Sequence, residues 1–133
     1  MLIAKEFTFD AAHKLLNYDG PCANLHGHTY KLQIVLSGSV QKNGMVIDFV
    51  DFKKIVTERV ISKLEHKFIN KIIKQSTAEN IAIWIWNQLE KNLPIYEIRL
   101  WETPTSFVMY RGPDQEKETG RGQSPINLLP MRG

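Results

Sequence analysis

The sequence predicts an α+β domain, a four-stranded antiparallel sheet with two helices packed on one of its faces. Three observations carry this expectation. Residues 2–13 and 26–37 alternate apolar and polar side chains, the period-two signature of half-buried strands. Two later segments, opening at Asp48 and at Ser76, place apolar residues at helical spacing. Two further alternating runs, 96–102 and 106–111, close the regular part of the chain. The order is therefore ββααββ, and helices gathered on one side of an antiparallel sheet satisfy it.

Each element has its own signals. In the first run Ile3, Phe7, Phe9, Ala11 and His13 share one parity; in the second, His26, His28, Tyr30, Leu32, Ile34 and Leu36 do. A turn-rich loop, Asn17 to Pro21, separates the runs and leads into Cys22. Asn43-Gly44 marks a turn. Asp48 then reads as an N-cap, with Asp51 complementing the dipole of the first turn. Phe52, Ile55, Val56, Val60 and Leu64 continue as one amphipathic helix of about sixteen residues. Ser76-Thr77-Ala78-Glu79 reads as a capping box for a second helix through Ile81, Trp84, Ile85 and Leu89, which Pro94 ends. Thr103-Pro104-Thr105 joins the last two strands. A sheet this small exposes edges on runs 2–13 and 96–111, and unpaired edges invite another subunit. The folded domain is expected over residues 1–112. Residues 113–133 form a polar, Pro- and Gly-rich tail that is either disordered or docked through Ile126, Leu128 and Leu129.

The bulk composition removes several classes of function. With 133 residues, 43% of them hydrophobic, the chain holds one core of ordinary size. A net charge of +3 on scattered lysines gives no footprint for nucleic acid. No apolar run approaches the roughly 20 residues of a membrane span. The amino terminus lacks the basic and apolar regions of a signal peptide, and one cysteine forms no internal disulfide. A reducing compartment, the cytoplasm, is expected.

Chemistry concentrates between His13 and His28, where sixteen residues hold three of the four histidines and the single cysteine. On one strand face His26 and His28 stand about 7 Å apart. Pairing the two runs with apolar faces inward brings His13 to the same place. Three neutral imidazoles at one point make a zinc site with the fourth position open for water or substrate, the catalytic arrangement. The alternatives are histidines that merely cap strand ends, or a closed Cys-His₃ structural site that includes Cys22 and serves a non-enzymatic module. Further along, His66 follows the first helix, where it is either a dipole partner or a functional group. Glu102 shares parity with Ile98 and Leu100, which puts a carboxylate on the apolar face. Carboxylates are rarely buried without a partner, so it awaits a donor-rich ligand or cation, or sits at a wet strand end. Thr77 and the free N–H groups beside it either cap the second helix or hold a polar ligand.

Read together, Phe9-x-Ala11-Ala12-His13, Cys22-x-x-x-His26-Gly27-His28, Asp48-Phe49, Leu64-Glu65-His66, Thr77-Ala78-Glu79-Asn80 and Trp101-Glu102-Thr103 resemble the 6-pyruvoyl-tetrahydropterin synthase superfamily. The three-residue gap between Cys22 and His26 resembles its 6-carboxy-tetrahydropterin synthase branch, of queuosine biosynthesis, rather than the pyruvoyl branch with its longer insertion. The resemblance covers about residues 1–112. It implies the tunnelling fold (T-fold), in which trimers pair into a homohexamer with active sites between subunits. It implies a lyase that converts 7,8-dihydroneopterin triphosphate to 6-carboxy-tetrahydropterin, acetaldehyde and triphosphate. It further implies Zn²⁺ on His13, His26 and His28, Cys22 as proton acceptor, His66 as its relay, and Glu102 as anchor of the pterin ring. The pyruvoyl reaction on the same substrate is the alternative. One departure matters. The family usually carries aspartate before the relay histidine, and Glu65 stands there instead. Either the backbone compensates for the extra methylene, or Glu65 faces solvent and the relay is His66 with Glu102.

Overall fold

The computed structural model describes residues 1–114; the tail calls on Ile126, Leu128 and Leu129 lie outside the described residues. Four strands, β1 (Leu2–His13), β2 (His26–Ser37), β3 (Ile95–Thr103) and β4 (Ser106–Tyr110), form one antiparallel sheet in the order β1-β2-β3-β4. Both helices lie between β2 and β3 in sequence and cover one face. Phe9, Tyr30, Leu32, Ile34, Leu36, Ile98 and Leu100 meet Phe52, Val56, Val60, Leu64, Ile81, Ile85 and Leu89 in a single core. The expected α+β arrangement is thus the one observed.

Helix α1 starts at Phe49, with the Asp48 carboxylate accepting from the Val50 N–H at 2.8 Å, and runs without a break to Leu64. It is not a uniform α-helix. Phe49–Val56 is α-helical, Thr57–Ile61 is a π turn, and Ser62–Leu64 closes the helix. The reason lies in the apolar spacing. Phe52, Val56, Val60 and Leu64 are all fully buried and lie four residues apart. Four α-helical residues overshoot one turn by about 40°. A strict four-residue stripe would rotate out of the core, and a wider π turn takes up that drift.

Helix α2 (Ala78–Leu89) corrects one expectation. Its N-cap is Thr77, whose hydroxyl accepts from the Asn80 N–H at 3.1 Å, while the Asn80 amide donates to the Gln75 carbonyl at 2.9 Å. Ser76 is not the cap and Glu79 does not close a box with it. Ser76 is fully buried and committed to His13, as described below. Tertiary demand moved the cap by one residue.

The β1 edge is only partly bare. After α1 the chain turns at His66 in the left-handed region (φ 58°), and residues 66–68 run parallel to the end of β1. His66 N–H donates to the Asp10 carbonyl at 2.6 Å, and Ala12 N–H to the Lys67 carbonyl at 3.0 Å.

Candidate active site

The β1–β2 register decides the geometry. His13 pairs directly with His26, and Ala11 with His28, so the three imidazoles emerge on the core face at one end of the sheet. Their ring centroids are 4.6, 4.8 and 5.1 Å apart. One ligand atom from each lies within 4.8 Å of the others. The Nε2 atoms of all three are buried with no hydrogen-bond partner among the described residues. Buried polar atoms left alone are costly, and three that converge fit a shared cation.

The tautomers agree. Nδ1 of His13 is 2.7 Å from the Ser76 carbonyl, and Nδ1 of His26 is 2.7 Å from the Asn24 carbonyl. A carbonyl only accepts, so both Nδ1 atoms carry the proton and both Nε2 lone pairs are free to ligate. Desolvation, the largest cause, pushes the His13 and His28 pKa values down and holds the rings neutral, the ligating form. The Glu102 carboxylate opposes this from nearby; its Oε2 is 3.7 Å from His13 Nε2. Tyr30 floors the cluster, stacked on Phe9 at 4.9 Å, with its hydroxyl buried and unpartnered. Burial raises the pKa of that hydroxyl well above the ordinary phenol value.

The segment after β1 is sewn in place by two amides. Asn70 accepts from Lys14 N–H (2.9 Å) and donates to the Lys14 carbonyl (2.8 Å); Gln75 does the same to Leu16 (2.7 and 3.0 Å). Each amide substitutes for a strand partner and presses residues 70–76 onto His13. The Ser76 hydroxyl also lies 3.2 Å from His13 Nδ1. Sequence reasoning missed Asn70, Gln75 and Ser76. Their signal was only an excess of amide and hydroxyl residues before a helix, which reads equally well as a turn.

Glu102 belongs to the cluster, as its parity indicated. With Thr77, Leu15 and Phe107 it lines a cavity of about 300 Å³, and with His28, Trp101 and Lys31 one of about 540 Å³. Thr77 therefore reaches the same cavity wall while capping α2. His66 stands apart. Its side chain, 77% exposed, lies beside Glu65, with Nε2 3.7 Å from Glu65 Oε2. It neighbours Asp10 and Thr29, strand residues whose side chains alternate away from His13 and His28, and a groove of about 580 Å³ runs there past Gly27. Of the two expected relays, the structure places His66 with Glu65 and Glu102 with His13. Cys22 sits half-buried in a 3₁₀ turn, Pro21–Ala23, and is not in the three-histidine group.

A family model described as 6-pyruvoyl tetrahydropterin synthase matches residues 2–113. The chain belongs to this family. Among its relatives, the 6-carboxy-5,6,7,8-tetrahydropterin synthase of Haemophilus influenzae is 44% identical over 82% of this chain and 97% of its own. The dihydroneopterin monophosphate aldolase of Pyrococcus furiosus is 42% identical over 71% of this chain and 83% of its own. Among solved structures, the 6-pyruvoyl tetrahydropterin synthase of Caenorhabditis elegans superposes with a TM-score of 0.77 at 27% identity, covering 85% of this chain and 96% of that one.

Proposed function

We propose that this member of the 6-pyruvoyl tetrahydropterin synthase family is a Zn²⁺-dependent carbon–carbon lyase acting in the cytoplasm. It converts 7,8-dihydroneopterin triphosphate to 6-carboxy-5,6,7,8-tetrahydropterin with release of acetaldehyde and triphosphate, a step toward queuosine. The observation that carries this reading is the trio of buried, unpartnered Nε2 atoms on His13, His26 and His28 with Glu102 beside them. The 44% identity to a 6-carboxy-5,6,7,8-tetrahydropterin synthase supports the branch. The exclusion of Cys22 from the histidine group favours an open site over a closed Cys-His₃ module.

His13, His26 and His28 hold the metal, which when bound supplies Lewis acidity toward side-chain oxygens. Glu102 accepts N–H bonds from the pterin's amino-amide edge and fixes the ring, with Thr77 on the same cavity wall. Cys22 takes the carbon-bound proton, and His66 relays it. His66 neighbours Asp10 and Glu65, whereas Glu102 neighbours His13, and the two do not meet within one chain. A second copy therefore completes the constellation, and the working form is a homo-oligomer, a trimer or hexamer.

The test is product analysis. Zinc-loaded protein given 7,8-dihydroneopterin triphosphate is expected to release triphosphate and acetaldehyde in equal amounts, the latter read by NADH oxidation with alcohol dehydrogenase. Triphosphate without acetaldehyde would establish the pyruvoyl reaction instead. Absence of both products would sink the lyase reading.

A further inference from the structure

We propose that Lys63, Lys67 and Lys71, beside His66, form an anion subsite that takes the triphosphate group of the substrate. The proposal rests on the lyase reading above, which makes that substrate a triphosphate ester.

The three lysines are spaced four residues apart but stand on three different pieces of backbone. Lys63 is in the last turn of α1, Lys67 follows the left-handed corner at His66, and Lys71 ends the 3₁₀ turn Ile69–Lys71. Main-chain bonds fix the last two. Lys67 N–H donates to the Leu64 carbonyl at 3.1 Å, its carbonyl accepts from Ala12 N–H at 3.0 Å, and Lys71 N–H donates to the Phe68 carbonyl at 3.1 Å. With His66 the lysines line a cavity of about 560 Å³ whose wall holds no carboxylate. All three side chains are exposed, and none forms an ion pair among the described residues. Glu65, the nearest acid in sequence, has its carboxylate on the Asp10 N–H at 2.7 Å. Like charges held around one space repel, and a polyanion relieves that cost.

The cavities on the Glu102 side suit a pterin better than phosphates. One is lined by Glu79 and Glu102 and by no cation; in the other the single ammonium, Lys31, lies 3.6 Å from Glu6 and over the Trp101 ring. A triphosphate carries several negative charges at neutral pH and calls for charged donors. The groove past Gly27 shares His66, Lys67 and Phe68 with the lysine cavity, and its one acid, Asp10, is bonded to the Thr29 hydroxyl. Since His66 and Glu102 do not meet within one chain, the copy that brings the relay also brings the lysines. One copy then holds the pterin through Glu102 while its neighbour holds the phosphates.

The probe is inorganic triphosphate, titrated calorimetrically into zinc-loaded full-length protein; its chelation of zinc is common to wild type and variants and drops out of the comparison. Lys63→Gln, Lys67→Gln and Lys71→Gln are each expected to weaken binding about three- to fivefold, the scale of one exposed charge pair, and the triple variant about thirty- to a hundredfold. Melting temperatures hold, because the side chains are exposed. KM for 7,8-dihydroneopterin triphosphate rises in the same order, whereas the Kd of 7,8-dihydroneopterin, which lacks the phosphates, does not move. Lys42→Gln combined with Lys91→Gln removes two exposed charges at the far end of the sheet and is expected to change none of these values. Triphosphate affinity unchanged in the triple variant, or lowered as much by the Lys42 and Lys91 changes, would overturn the subsite. Wild-type protein that binds triphosphate through these lysines yet releases neither acetaldehyde nor triphosphate from the ester would instead overturn the assigned reaction and leave the anion subsite standing.

Discussion

Ser76→Ala is the most discriminating perturbation of the proposed metal site. Ser76 touches His13 twice, through its carbonyl at 2.7 Å and its hydroxyl at 3.2 Å, both facing Nδ1–H. The hydroxyl in turn reaches Asn70 Oδ1 at 3.1 Å and the Lys14 carbonyl at 3.3 Å. Alanine keeps the carbonyl and removes the hydroxyl. Loss of an outer partner of a ligating histidine costs about ten- to a hundredfold in metal affinity. With the shorter of the two contacts retained, the lower figure applies, about tenfold, or roughly 1.4 kcal/mol. The lost hydrogen bond costs about 1 kcal/mol of folding stability, roughly 4 °C in Tm for a domain of this size. The assay is competition for zinc against a chelator of known affinity, beside melting of metal-free and loaded protein. Thr77→Ala is the control: it removes the α2 cap, costs about 1 kcal/mol, and leaves zinc affinity alone. If both variants lose stability and neither changes zinc affinity, the Ser76 hydroxyl is a packing group and plays no part in orienting His13.

Three further outcomes follow from the same geometry. Replacing His26 or His28 by Ala removes one of three convergent nitrogens and is expected to lower bound zinc and turnover together; full zinc retention by elemental analysis would contradict the ligand assignment. Metal-free protein should lose stability as pH falls below the ordinary histidine value of 6.5, because His13 and His28 stay neutral when folded while the unfolded chain takes up protons. A denaturant midpoint that stays flat from pH 7.5 to 5.5 would refute it. Tyr30→Phe keeps the stack on Phe9 and removes a buried hydroxyl without a partner, so stability should hold or rise by about 1 kcal/mol by calorimetry. A loss of that size would reveal that the hydroxyl has a bonding partner when the site is loaded.

The sheet and the clustering of three histidines were legible because both depend on parity. Side chains alternate by local geometry, so the placement of His13, His26, His28 and Glu102 on the apolar face follows from counting residues. The helix ends and the π turn were less legible. Asp48 was readable as a cap because nothing else competes for its carboxylate. At the second helix Ser76 and Thr77 are both good caps, and the choice was made by His13, 63 residues away in sequence. In α1 the four-residue spacing of Phe52, Val56, Val60 and Leu64 was visible, but it reads as an ordinary amphipathic stripe until the rotation of each turn is followed.

Parity also explains why the proposed site does not close within one chain. Asp10 and Thr29 stand on the face that the helices leave bare, and the corner at Glu65 and His66 is bonded to Asp10. His13, His28 and Glu102 stand on the other face. Slipping β1 by one residue against β2 would carry Asp10 to the face of His28 and His13 to the face of Thr29, so the observed register is what keeps the two sets apart. Glu65 therefore acts on the bare face alone. The Glu65 carboxylate bonds across to the Asp10 N–H of β1 while its Oε2 lies 3.7 Å from His66 Nε2, so one acid both braces the corner and faces the imidazole.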